Sequence, residues 1–68
     1  MSIAKVIELV GSSSDSFDEA VRNAVAEAAK TVKDITGVHV LGMTAKVEDG
    51  RLTEFRANVK IAFRVKRD

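Results

Sequence analysis

The run Phe55-Arg-Ala-Asn-Val-Lys-Ile-Ala-Phe-Arg-Val65 puts an apolar residue at every odd position and mostly polar or basic residues between them. Alternation with a period of two over that length defines a strand with one apolar face and one charged face. The apolar face needs a cover, and the chain offers one, an alanine-rich segment upstream with helical spacing. A single helix leaves much of a curved sheet bare. The chain is therefore expected to complete its core by assembling with further copies of itself.

Length sharpens that expectation. The 68 residues make one domain, 1–68, near the lower end of what folds alone, because small chains bury a smaller fraction of their surface. There is no cysteine and one histidine, which rules out a disulfide and argues against structural zinc. Oligomerisation is left as the stabiliser. The lack of cysteine fits a reducing compartment, and Met1-Ser-Ile-Ala-Lys5 opens a strand pattern rather than a signal peptide. No stretch approaches the ~18 apolar residues of a membrane span. A cytoplasmic protein with no membrane partner is expected.

Charge is balanced, eleven Lys and Arg against ten Asp and Glu, so the whole chain offers no strong field for nucleic acid. Its distribution is uneven. Asp15, Asp18 and Glu19 gather at the predicted helix start, where carboxylates stabilise the positive end of the dipole. Lys60, Arg64, Lys66 and Arg67 gather toward the end. No tyrosine or tryptophan interleaves with these basic residues, which argues against a nucleic-acid surface.

Along the chain, Ile3–Val10 is rich in β-branched residues and closes at Gly11, which predicts a first strand. Ser16-Phe-Asp-Glu19 matches a capping box, with the serine hydroxyl accepting from the glutamate amide and the glutamate reaching back. Phe17, Ala20, Val21, Ala24, Val25, Ala28, Val32 and Ile35 recur at three- and four-residue intervals and predict a helix over 17–35, with Gly37 as its cap. The alanines of that stripe admit a closely packed sheet, and the larger residues fill the remaining space. From Val38 the alternation returns, but its phase slips near Gly42, so a bulge or sharp bend is expected there. Glu48-Asp-Gly-Arg51 predicts a tight hairpin, and the last strand runs from about 52 to 66. The order is β-α-β-β in an α+β domain.

No residues make a convincing catalytic set. His39 is the sole imidazole and sits among valines, so a structural or interfacial role is the better reading, and no enzymatic activity is expected. Gly11-Ser-Ser-Ser-Asp15 lacks the second glycine and the lysine of a phosphate loop. The spacing of Asp15, Asp18 and Glu19 is not that of a dedicated calcium loop, and no metal ligand is assigned. Arg56, Lys60 and Arg64 share the polar face of the last strand, where they either meet phosphate or pair with acids, across the sheet with residues such as Glu8 or across a subunit boundary.

Lys5-Val-Ile-Glu-Leu-Val-Gly-Ser-Ser13, the serine-led alanine helix ending near Ala29-Lys-Thr31, the bent strand from Val38, the short turn and Ala62-Phe-Arg-Val65 together resemble the dodecin family over nearly the whole chain. The resemblance implies a three-stranded antiparallel sheet partly wrapping one helix and a hollow homododecamer. It also implies binding of riboflavin or flavin mononucleotide (FMN) in pairs, held without turnover for storage or sequestration. The implied flavin-contacting positions are Gly37, Val38, Thr44, Arg56 and Arg64. Two of these depart from the family pattern: Gly37 stands where flavin-binding members stack a tryptophan, and Arg56 where they place a glutamine. The chain is thus similar to a subgroup lacking the stacking ring. The alternative for such a subgroup is a shell that binds an ion such as calcium, or another ligand, or is chiefly structural.

Overall fold

The computed structural model describes residues 2–66 and the side chains of 3–65. Met1, Arg67, Asp68 and the side chain of Lys66 lie outside the described residues, and with them part of the basic C-terminal cluster. Four elements follow one another: β1 (Ser2–Ser13), α1 (Phe17–Ala29), β2 (Ile35–Glu48) and β3 (Arg51–Lys66). They form one sheet in the order β1-β3-β2 with both pairings antiparallel. The strand with the longest alternation is therefore central, as its two-sided hydrogen bonding requires.

Register sorts the side chains into two faces. On the inner face, Ala57, Val59 and Ile61 of β3 lie opposite Gly11, Leu9 and Ile7 of β1 and opposite Met43, Val40 and Val38 of β2. Helix α1 lies across β1 and β3 and touches β2 least. The buried core is correspondingly small: Ala20, Ala24 and Ala28 from the helix against Ala57, Val59 and Ile61 from the sheet. The larger residues Val21 and Val25 of the helix and Ile35 of β2 pack around this core without being fully buried. Phe17 meets Phe55 edge-on with ring centroids 4.9 Å apart, which pins the start of the helix to the central strand.

Several expectations from the sequence hold and several are corrected. Ser16 caps the helix by accepting from the Glu19 amide at 3.0 Å. The return half of the capping box is replaced: the Ser16 amide donates to Ser13 Oγ at 3.4 Å. The hairpin closes on Asp49 and Gly50, both with positive φ (51° and 76°), the turn whose twist matches the flanking strands. The phase slip is a bulge at Leu41, between the Val40 and Gly42 pairings.

The helix stops at Ala29 rather than continuing to residue 35. Beyond it come β-branched Thr31 and Val32, which propagate a helix poorly, and then Asp34 in the left-handed region at φ 61°. The Asp34 carbonyl accepts from the Arg64 amide at 2.9 Å, so the edge of β3 captures the chain there. Ile35 consequently belongs to β2, opposite Phe63, and Gly37 is a strand residue opposite Ala62 rather than a helix cap. Gly11 does not end β1, which runs on to Ser13. Its role is close approach, because a Cβ there would overlap the Ala20 carbonyl oxygen and sit 2.8 Å from Ala24 Cβ.

The protomer is flat and long, 55 × 19 × 13 Å. Its radius of gyration is 14.1 Å, against ~11 Å for a compact domain of this length. Its accessible surface is 5030 Å², against ~4,200 Å² for a monomer of this mass. Val38, Val40 and Met43 on the inner face, Leu41 at the bulge, Val47 and Leu52 at the hairpin end, and Val6 and Val10 on β1 are all exposed.

Candidate functional site

The face of the sheet away from α1 carries the polar residues of the alternation. Register arranges them in rows across three strands. One row is Ser12, Arg56 and Thr44; the next is Val10, Asn58 and Gly42; then Glu8, Lys60 and His39; then Val6, Ala62 and Gly37; and finally Ala4 and Arg64. The alternation on β3 dictates the central column, and the bulges in β2 bring Gly37 and His39 onto the same face.

Two shallow depressions lie along this face. One, about 310 Å³, is lined by Val6, Gly37, Val38, His39, Lys60 and Ala62. The other, about 320 Å³, is lined by Ile3, Ala4, Thr36 and Arg64. The lining of the first is mainly apolar, whereas that of the second is more polar. Nothing lies within 4 Å of the position a Cβ would take on Gly37, so a flat ligand or a larger side chain has room at that point.

The five residues singled out from the sequence are thereby distributed over three places. Gly37 and Val38 line the first depression, Val38 as its margin, since its register partner Ile61 is on the inner face. Arg64 lies in the second. Thr44 and Arg56 share a row further along, about 13 Å from the Lys60 row at four strand residues. Arg56 is engaged by its own strand neighbour, its Nε donating to Glu54 Oε1 at 3.0 Å.

The proposed pairing of the basic column with Glu8 is not formed. Glu8 stands opposite Lys60 in register, but among the described residues no side-chain hydrogen bond or ion pair joins them, and none is made by His39 or Arg64. The ion pairs present are Arg22–Asp18, Lys30–Glu27, Lys46–Glu48 and Arg56–Glu54. Hydrogen bonding to Asp18, then that carboxylate's charge, raises the Arg22 pKa further. Asp18 is thus engaged in a helix-surface pair. Among the described residues no group of three or more His, Asp or Glu side chains is placed to hold a metal ion. Nor is any helix long and apolar enough to cross a membrane.

Sequence reasoning considered His39 and Lys60 separately and did not single out Val6. What joins them is register between strands distant in sequence. The one available signal was the even-numbered column of β3, which a pairing with Ile3–Val10 would have extended.

Residues 3–66 match the sequence model of the family described as Dodecin. A dodecin from Streptomyces coelicolor superposes with a TM-score of 0.91 at 33% identity, covering 98% of this chain and 96% of that one. The calcium dodecin of Mycobacterium tuberculosis is 29% identical over 66 residues, covering 97% of this chain and 93% of the relative. The crystal structure of that calcium dodecin, described as having a novel calcium-binding site, superposes with a TM-score of 0.81 at 26% identity, covering 94% and 91% of the two chains.

Proposed function

This chain belongs to the dodecin family, and from that premise we propose that it is a non-enzymatic, cytoplasmic protein that assembles as a hollow homododecamer and holds flavin, either riboflavin or FMN, for storage or sequestration. The observation that carries the ligand reading is the depression lined by Val6, Gly37, Val38, His39, Lys60 and Ala62. It offers an apolar floor to a flat ring and hydrogen-bond donors at its margin to a carbonyl edge or an anion. Assembly is supported by the extended shape and the exposed apolar residues of the lone protomer. With Gly37 in place of a stacking indole, one ring face loses a contact of about 1 to 3 kcal/mol, by analogy with bases on aromatics, so affinity is lower than an indole-bearing pocket would give.

The test is titration of riboflavin against the apoprotein while flavin fluorescence is followed. Quenching that saturates supports flavin binding, and unchanged emission at micromolar protein refutes it. Gly37→Trp sharpens the result, because the open space around that position accepts the ring. The variant is expected to bind riboflavin about tenfold or more tightly than the natural chain.

A second reading, a cation-holding shell without flavin, is favoured by the relationship to the calcium dodecin. The outer face opposes it, since His39, Arg56, Lys60 and Arg64 outnumber Glu8 and Glu54 there. A calcium site would have to form elsewhere, from acids of several copies. Calorimetry with calcium on the assembled protein discriminates the two.

A further inference from the structure

We propose that Met43 is a peroxide-oxidisable site that decides whether a protomer enters the particle: free copies are oxidised there, assembled copies are shielded, and a copy carrying the sulfoxide is left out. The inference rests on the assembly reading above and adds a covalent modification that governs it. Met43 is one of two methionines in the chain, the other being Met1. It lies on the inner face of β2 opposite Ala57, yet Ala57 is fully enclosed and Met43 is 50% exposed. The helix covers β3 at this level and scarcely reaches β2.

The neighbours of Met43 on this face are Val40 and Ala45 along β2 and Phe55, Ala57 and Val59 on β3. None of their side chains donates a hydrogen bond. An unoxidised thioether suits such a surface, being apolar and flexible enough to pack against a second copy. In a chain without cysteine, it is also the group on which a peroxide acts. A sulfur lone pair attacks one peroxide oxygen, the O–O bond breaks as the S–O bond forms, and the other oxygen leaves as water. Sulfur gives up two electrons and the peroxide is reduced. The sulfoxide is polar where the thioether was apolar. On a lone protomer its oxygen is solvated. Beneath a second copy it is an acceptor shut away from water among side chains that offer it no proton, so covering it is unfavourable. In a symmetric particle that penalty recurs in every oxidised copy.

The experiment treats the assembled protein, and the same protein dissociated in urea, with hydrogen peroxide. Mass spectrometry follows the tryptic peptide 34–46, in which Met43 is the sole methionine. The sulfoxide is expected to form at least about tenfold more slowly in the particle. Half exposure in a lone folded copy would slow it only about twofold. Urea is then removed and the particle mass is read by light scattering. The oxidised chain is expected to stay below the mass of the untreated particle and to regain it after treatment with methionine sulfoxide reductases. Met43→Leu carried through the same steps should reassemble fully. Equal oxidation in the two states, full reassembly of the oxidised chain, or equal impairment of Met43→Leu by peroxide each overturns the inference. If Met43→Leu fails to assemble untreated, the natural chain decides: rescue by the reductases supports the inference and no rescue overturns it. An untreated chain of single-chain mass fails the assembly reading as well, whereas a particle indifferent to Met43 oxidation fails this inference alone.

Discussion

The two ends of the sheet are built from similar residue types and come to opposite fates. Where β1 and β3 lie under α1, the contact surfaces are small: Gly11, Ala20, Ala24, Ala28 and Ala57 bring backbones close, and Val59 and Ile61 fill what is left, completely enclosed. Along β2 and toward the hairpin the side chains are larger, yet Val40, Leu41, Met43, Val47 and Leu52 stay exposed because α1 stops at Ala29 and lies to one side. Apolar bulk alone does not make a core. A covering element decides it, and for the β2 arm this chain supplies none, which is the physical case for partner copies.

The comparison breaks most visibly if the bare arm is made unable to accept a neighbour. Val40→Lys combined with Met43→Lys should abolish assembly and remove roughly 3 to 6 kcal/mol per protomer of apolar burial, read as a fall in particle mass and in urea midpoint at fixed protein concentration. A double variant of unchanged size would show that β2 is not an interface. On the covered side, Gly11→Val should cost about 3 kcal/mol by forcing the helix off the sheet, seen as a lowered denaturation midpoint. Ser16→Ala removes the cap on the Glu19 amide and should cost about 1 kcal/mol. Arg22→Ala, which deletes an exposed pair with Asp18, should change the midpoint by no more than about 0.5 kcal/mol.

The fold was legible where local chemistry is decisive. The Asp49-Gly50 turn, the Ser16 cap, the slip of phase near Gly42 and the alternation from Phe55 to Val65 each reflect interactions between residues close in sequence. What misled were features in which tertiary contacts override local pattern. Val32 and Ile35 continue the helical spacing of Ala28, but backbone pairing between Asp34 and Arg64 draws the chain into the sheet. Gly11 reads as a strand end by composition and is a strand residue because a helix presses on it. The candidate site residues were named one by one from the sequence. Gly37, Val38 and Arg64 line depressions, whereas bringing Val6, Lys60 and His39 together needs a register that no local pattern announces.

All of this turns on whether a lone copy is complete. Static light scattering of the purified chain at micromolar concentration, repeated on dilution, measures that directly. The account predicts a particle near twelve times the 7.3 kDa chain mass, with folding lost when the particle dissociates. A folded, heat-resistant species of single-chain mass would contradict it.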